Sequence, residues 1–184
     1  MTETLECNIQ YYGASPWEIE VLYESISARF KVIQKEIEFD EESNFVTMIN
    51  ITLPVQFNDD FFKWFEFKRW ERIKFLFKEM KRRRGDRKRM KIVINFTVLP
   101  AIKFILDTKE GHLYNNAVEK IETVLELLKY HIDSAKITTG ITQGIYKFDS
   151  EKSRWVLHTI HTDSKEFTNI DGKWKVETKE GVNS

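Results

Sequence analysis

Residues 91–99 read KIVINFTVL, in which Ile92, Val93, Ile94, Thr97 and Val98 are β-branched. Such side chains pack well on a pleated surface. A run this continuously apolar predicts a strand in the middle of a sheet rather than at its edge. Pro100 interrupts it, so AIKFILD at 101–107 is either a further strand or the same strand after a bulge. This strand decides the fold, because its neighbours must supply partner strands and the helices that cover it.

On its N-terminal side stands the aromatic stretch FFKWFEFKRWERIKFLFKEMKRRR, residues 61–84. Asn58, Asp59 and Asp60 offer a cap, and Trp70, Ile73, Phe77 and Met80 share one stripe, which predicts a helix ending near Gly85. Before it, VIQKEIEF (32–39) and FVTMINITLPV (45–55) flank the polar turn DEESN and predict an antiparallel hairpin with an acidic tip. SPWE at 15–18 reads as a capping box opening a helix over 15–31, and residues 4–12 precede it as a first strand. On the other side, Tyr114, Val118, Ile121, Leu128 and Ile132 form the stripe of a helix over 113–132. A Thr/Gly-rich joint at 136–144 leads into two hairpins, the second turning at Asp171-Gly172, and the last five or so residues are expected to fray.

The order is β-α-β-β-α-β, then β-α-β-β with a C-terminal hairpin. It predicts an α+β fold, an antiparallel or mixed sheet with helices on one face. The first six elements resemble, by order alone, the split βαβ pattern of a ferredoxin-like sandwich. Residues 1–135 form the α+β core on this reading. Residues 136–184 form a β-hairpin extension packed on it, a single domain overall.

Composition narrows the function classes. A chain of 184 residues suits one compact domain, and 41% hydrophobic residues with three Pro and seven Gly exclude collagen-like, proline-rich and disordered classes. The single cysteine, Cys7, excludes an intrachain disulfide framework and a multi-cysteine zinc module. No apolar run approaches the ~18 residues of a membrane span. The polar start MTETLECNIQ carries no secretory signal, so a soluble cytoplasmic protein is expected.

Charge is where the sequence becomes informative. Lys+Arg and Asp+Glu both number 29, a net charge of zero. Yet KRRRGDRKRMK at 81–91 holds eight basic residues and one acid, leaving 21 basic and 28 acidic residues elsewhere. Part of that acidic share is Glu36, Glu38, Asp40, Glu41 and Glu42. Lys81, Arg82, Arg83, Arg84, Arg87, Lys88, Arg89 and Lys91 therefore form the candidate site for an anionic partner, nucleic acid or acidic protein. Arg forks grip phosphate bidentately, and several neutralised phosphates give a steep salt dependence. The plainer alternative is a solvated turn whose cations favour a helix C-terminus.

The aromatic stretch holds more rings than one stripe can bury. Trp64 and Phe75 point away from the Trp70/Ile73/Phe77 face of a continuous helix and Phe67 lies on its flank, making these three the candidate interface of a homodimer. Burial by the C-terminal hairpins, a membrane surface and base stacking are the alternatives.

His158 and His161 alternate to opposite faces of a predicted strand, and no metal site or cofactor is expected. Glu177-Thr178-Lys179 with Asp163 or Asp171 loosely echoes metal-dependent nucleases. Glu79-Met80-Lys81 repeats the same pattern by chance. No phosphate loop, dinucleotide fingerprint, zincin motif or nucleophile elbow occurs. The expected function is a non-catalytic binding or assembly protein whose basic loop docks an anion. A homo-oligomer built on the aromatic helix, or a small-ligand binder or enzyme with an aromatic-lined pocket, is the alternative.

Overall fold

The computed structural model describes residues 3–137 and 140–179. The expected fraying of the last five residues, and part of the Thr/Gly-rich joint, lie outside the described residues. Among the described residues nine strands and five helices form a mixed α+β arrangement. The strands are β1 (Glu6–Tyr12), β2 (Lys31–Glu36), β3 (Phe45–Leu53), β4 (Arg89–Phe96), β5 (Ala101–Leu106), β6 (Ile141–Asp149), β7 (Arg154–Thr162), β8 (Lys165–Ile170) and β9 (Lys173–Thr178). The helices are α1 (Pro16–Ser27), α2 (Asp59–Phe65), α3 (Phe67–Arg84), α4 (Gly111–Glu119) and α5 (Val124–Ser134).

All nine strands join one sheet in the order β2-β1-β3-β4-β5-β6-β7-β8-β9. The strand expected over 91–99 is central, as its composition predicts, but it ends at Phe96, and 101–106 is a separate strand beside it. The C-terminal hairpins extend the same sheet. The expected hairpin of 32–39 with 45–55 does not form, because β1 lies between β2 and β3, parallel to the first and antiparallel to the second. Each of the pairs β1/β2, β3/β4 and β5/β6 is parallel and adjacent, with helices in the crossover. A split βαβ unit needs another strand inserted between its two, so the ferredoxin-like order is not the one seen here.

One face of the sheet carries the apolar core. Ile9, Ile51, Ile94, Phe104, Tyr146 and Leu157 stand opposite one another across six consecutive strands, all buried. All three crossovers cover this face. Ile26 of α1 and Phe65, Trp70 and Ile73 of α2–α3 close on Ile51 and Ile94, while Trp155 Nε1 donates to the Ala117 carbonyl of α4 at 2.9 Å. β5 runs antiparallel to β3, yet the crossovers that leave them step in the same direction along the sheet and over the same face. The β5–β6 crossover therefore has the opposite hand to the other two, against the strong preference for a single hand.

Both long helices expected from the sequence are broken in two. Glu66 takes φ 73 between α2 and α3, which turns Phe61, Phe62 and Phe65 inward as a second buried set. This accounts for half of the surplus rings: Phe61 and Phe62 pack with Phe57, Phe96 and Phe104 from outside the stretch, at centroid distances of 5.0–5.9 Å. The void beneath α1 and α2–α3, lined by Ile26, Ile51, Phe61, Phe65, Trp70 and Ile94, measures about 10 Å³, below what one ligand needs. Cys7 is fully buried, and burial pushes its thiol up to about 12, so it is no nucleophile at neutral pH. No described helix is long and apolar enough to cross a membrane.

Candidate anion-binding surface

The basic run divides into three groups with different work. Lys81 and Arg84 face inward. Lys81 is 1% exposed, and its ammonium donates to the carbonyls of Gly85 (3.1 Å) and Lys88 (2.7 Å), stapling the turn after α3. Burial lowers its pKa, with Asp86 acting in the other direction. Arg84 donates from both terminal nitrogens to Glu18 at 2.9 Å, and further to Thr47 Oγ1 and the Gly13 and Met80 carbonyls. Glu18 is 2% exposed: burial alone raises its carboxyl, but hydrogen bonds from Arg84 and the Ser15 backbone outweigh that and hold it below the usual range. Glu18 also completes the capping box with Ser15, so the Glu18–Arg84 pair ties α1, α3 and, through Thr47, β3 together. Neither cation can reach an external anion without dismantling the core.

Arg82 and Arg83 form the second group. Both are exposed, and both donate to Glu79, whose carboxyl the Arg82 hydrogen bonds pull down to about 2. Arg83 also stacks over Trp17 at 4.7 Å. Their charge is thus partly answered.

Arg87, Lys88, Arg89 and Lys91 are the third group, and none has a carboxylate partner among the described residues. Arg87 and Lys88 are exposed on the turn. The Arg89 guanidinium and Lys91 ammonium lie 4.9 and 5.3 Å from the Phe45 ring centroid, on the sheet face opposite the helices. Asp86, the acid within the run, accepts from the Gly111 amide at 2.7 Å and is committed to the start of α4.

Among the described residues that opposite face is free of helices, and it carries cations that no local run announces. One cross-strand row reads Thr52, Asn95, Lys103, Ile145 and Thr159 through β3 to β7. The next reads Gln10, Asn50, Val93, Ile105, Lys147 and Val156 from β1 to β7. Neither row holds a carboxylate, and Lys103 and Lys147 make no ion pair among the described residues. Asn50 Oδ1, Asn95 Oδ1 and Arg89 Nε on this face are shielded and have no hydrogen-bond partner among the described residues. The sequence signal for Lys103 and Lys147 is the alternation of AIKFIL and IYKF, where each lysine holds the polar side of an apolar strand.

The remaining candidates sit elsewhere. Trp64, Phe67 and Phe75 are 40, 53 and 64% exposed, on the outer side of α2–α3. A register shift between Ile145 and Tyr146 breaks the alternation expected for the histidines: it sets Leu157 and Thr159 on opposite faces with His158 between them, and His158 Nδ1 lies 2.7 Å from Thr159 Oγ1. Burial lowers both rings, His158 with help from Lys147, His161 with help from Lys179 and Lys103, and Glu166 opposes the shift at each. Asp171 lies at the β8–β9 turn, away from Glu177 at the far end of β9, whereas Asp163 lies at the β7–β8 turn near that end, where the Lys179 amide donates to the Ser164 carbonyl at 3.0 Å. Among the described residues no three His, Cys, Asp or Glu side chains gather to hold a metal ion. Compared with models of known families, with curated proteins and with solved structures, the chain matches none.

Proposed function

We propose that this protein is a non-catalytic binding module that docks a phosphate-bearing polymer on Arg87, Lys88, Arg89 and Lys91. The observation that supports it is the absence, among the described residues, of any carboxylate partner for these four cations, when Lys81 and Arg84 are internally satisfied and Arg82 and Arg83 share Glu79. Unpaired like charges this close repel until counterions or a ligand neutralise them, and releasing those counterions drives association. Fluorescence anisotropy of a labelled single-stranded oligonucleotide, titrated against salt, tests the reading. Affinity falls with salt along a log–log line, and Arg87→Ala/Lys88→Ala flattens the slope by about 0.7 for each phosphate that is no longer neutralised. Absent binding at low salt, or affinity indifferent to salt, ends it.

A second reading, self-association through α2–α3, draws on the exposure of Trp64, Phe67 and Phe75, since solvent-facing rings in such number favour a partner surface. Light scattering that finds only monomer at tens of micromolar removes it.

A further inference from the structure

We infer that the bare face of the sheet is the track for this ligand, and that the ligand is an extended single-stranded nucleic acid lying across the strands. The inference rests on the polyanion reading above and adds the surface and the ligand class. Four observations carry it.

The first is charge. Lys103 and Lys147 stand mid-sheet, unpaired among the described residues, in two cross-strand rows that contain no acid, within a chain whose acids equal its bases. The second is continuity. Arg89 and Lys91 belong both to the basic turn and to this face, because Lys91 and Val93 alternate on β4 toward Asn95. The third is what lies between the lysines. Val93, Ile105 and Ile145 are partly exposed apolar side chains, suited to the flat face of a base. An anionic polymer that also brings apolar ring faces is a nucleic acid; an inorganic polyphosphate brings none, and a carboxylate-rich protein surface brings few. The fourth is topological. A β5–β6 crossover with the hand of the other two would carry α4 and α5 over this face and cover it. A second copy stacked sheet to sheet would set Lys103 and Lys147 against a surface whose two central rows offer no carboxylate in return. Nine strands at about 4.8 Å spacing give a track of about 38 Å.

The test uses the full chain with a labelled oligo-dT of about 16 nucleotides, the upper range of one single-strand binding domain. Lys103→Ala/Lys147→Ala, checked for native fold by circular dichroism, weakens binding about tenfold at low salt and flattens the salt slope. In methyl NMR spectra of the wild-type complex, Val93, Ile105 and Ile145 shift while Ile92 and Ile94 on the covered face do not. If wild type binds, Arg87→Ala/Lys88→Ala weakens it, and the lysine pair and the three methyls are unaffected, the track is wrong and the polyanion reading stands. If wild type binds neither oligo-dT nor inorganic polyphosphate, both fall. Polyphosphate binding as tight as oligo-dT, or methyl shifts that appear on concentrating the protein alone, overturns the nucleic-acid assignment.

Discussion

Arg84 and Arg87 stand three residues apart in the same basic run and are indistinguishable by composition. In the fold they are opposites. Arg84 holds the buried Glu18 carboxylate at 2.9 Å from two nitrogens, whereas Arg87 is exposed with no acidic partner among the described residues. Removing one member of a buried ion pair leaves the other charged and desolvated, a loss of about 3–5 kcal/mol. Surface substitutions away from such features stay within about 0.5 kcal/mol. Urea unfolding of Arg84→Met should therefore show the large loss, and Arg87→Ala almost none. Equal losses would mean that the division of the run is wrong. The acidic side gives the matching sign: Glu18 is held below its ordinary value, so its contribution is whole above the ordinary carboxylate range and drains as pH falls through the depressed one. This division was illegible in the sequence for a plain reason. The partner that draws Arg84 inward lies 66 positions away, and a local charge count registers no partners. Lys81 could have been suspected, since Met80 and Phe77 on the same helix already define the inward stripe.

Local signals fared differently at the scale of elements. The capping box of Ser15 and Glu18 and the Asp171-Gly172 turn appear where the sequence puts them, because each depends on residues within four positions. The two helix breaks were invisible for the converse reason: helical periodicity resumes after Glu66 and after residue 123, so the pattern reads through both. The hairpin expected of β2 and β3 failed on topology. Both segments are good strands joined by a good turn, yet β3 pairs with β1, a choice made by long-range packing rather than by the turn. The break at Glu66 permits a test in sign rather than size. At φ 73 a side chain is strained and glycine is not, so Glu66→Gly should be more stable than Glu66→Ala by about 1 kcal/mol. Within an unbroken helix the order reverses by a similar amount, alanine ahead of glycine. The ion pairs with Arg29 and Arg69 are removed in both variants and are half-exposed, so they cancel. Thermal melts of the two variants decide whether 59–84 is one helix or two.

For the whole molecule, the zero net charge conceals a layout that neither the total nor the run at 81–91 reveals. Phe45 pairs with Arg89 in register, and the acidic stretch from Glu36 to Glu42 leads directly into Phe45. The acidic and basic clusters therefore sit side by side at one end of the sheet, not at opposite poles. Among the described residues no ion pair joins them. Poles of opposite charge would suit an open head-to-tail chain; neighbouring patches of opposite charge are self-complementary only under a two-fold axis. For a phosphate polymer on the bare face, the same neighbourhood is repulsive. Adjacent strands lie about 4.8 Å apart, within the Debye length of about 10 Å at 0.1 M salt, so the acidic turn acts on whatever binds at Arg89. Neutralising it with Glu38→Gln, Asp40→Asn, Glu41→Gln and Glu42→Gln should tighten oligo-dT binding severalfold at low salt. Asn at 40 keeps the acceptor that the Glu42 amide uses, so the turn is preserved. Repeating the anisotropy titration at about 1 M salt, where the Debye length is about 3 Å, should abolish the gain. A gain that survives at high salt would mean that the turn blocks the surface by shape rather than by charge. No gain at low salt would mean that the ligand does not reach the β3–β4 end, and the track would have to run through Lys103 and Lys147 alone.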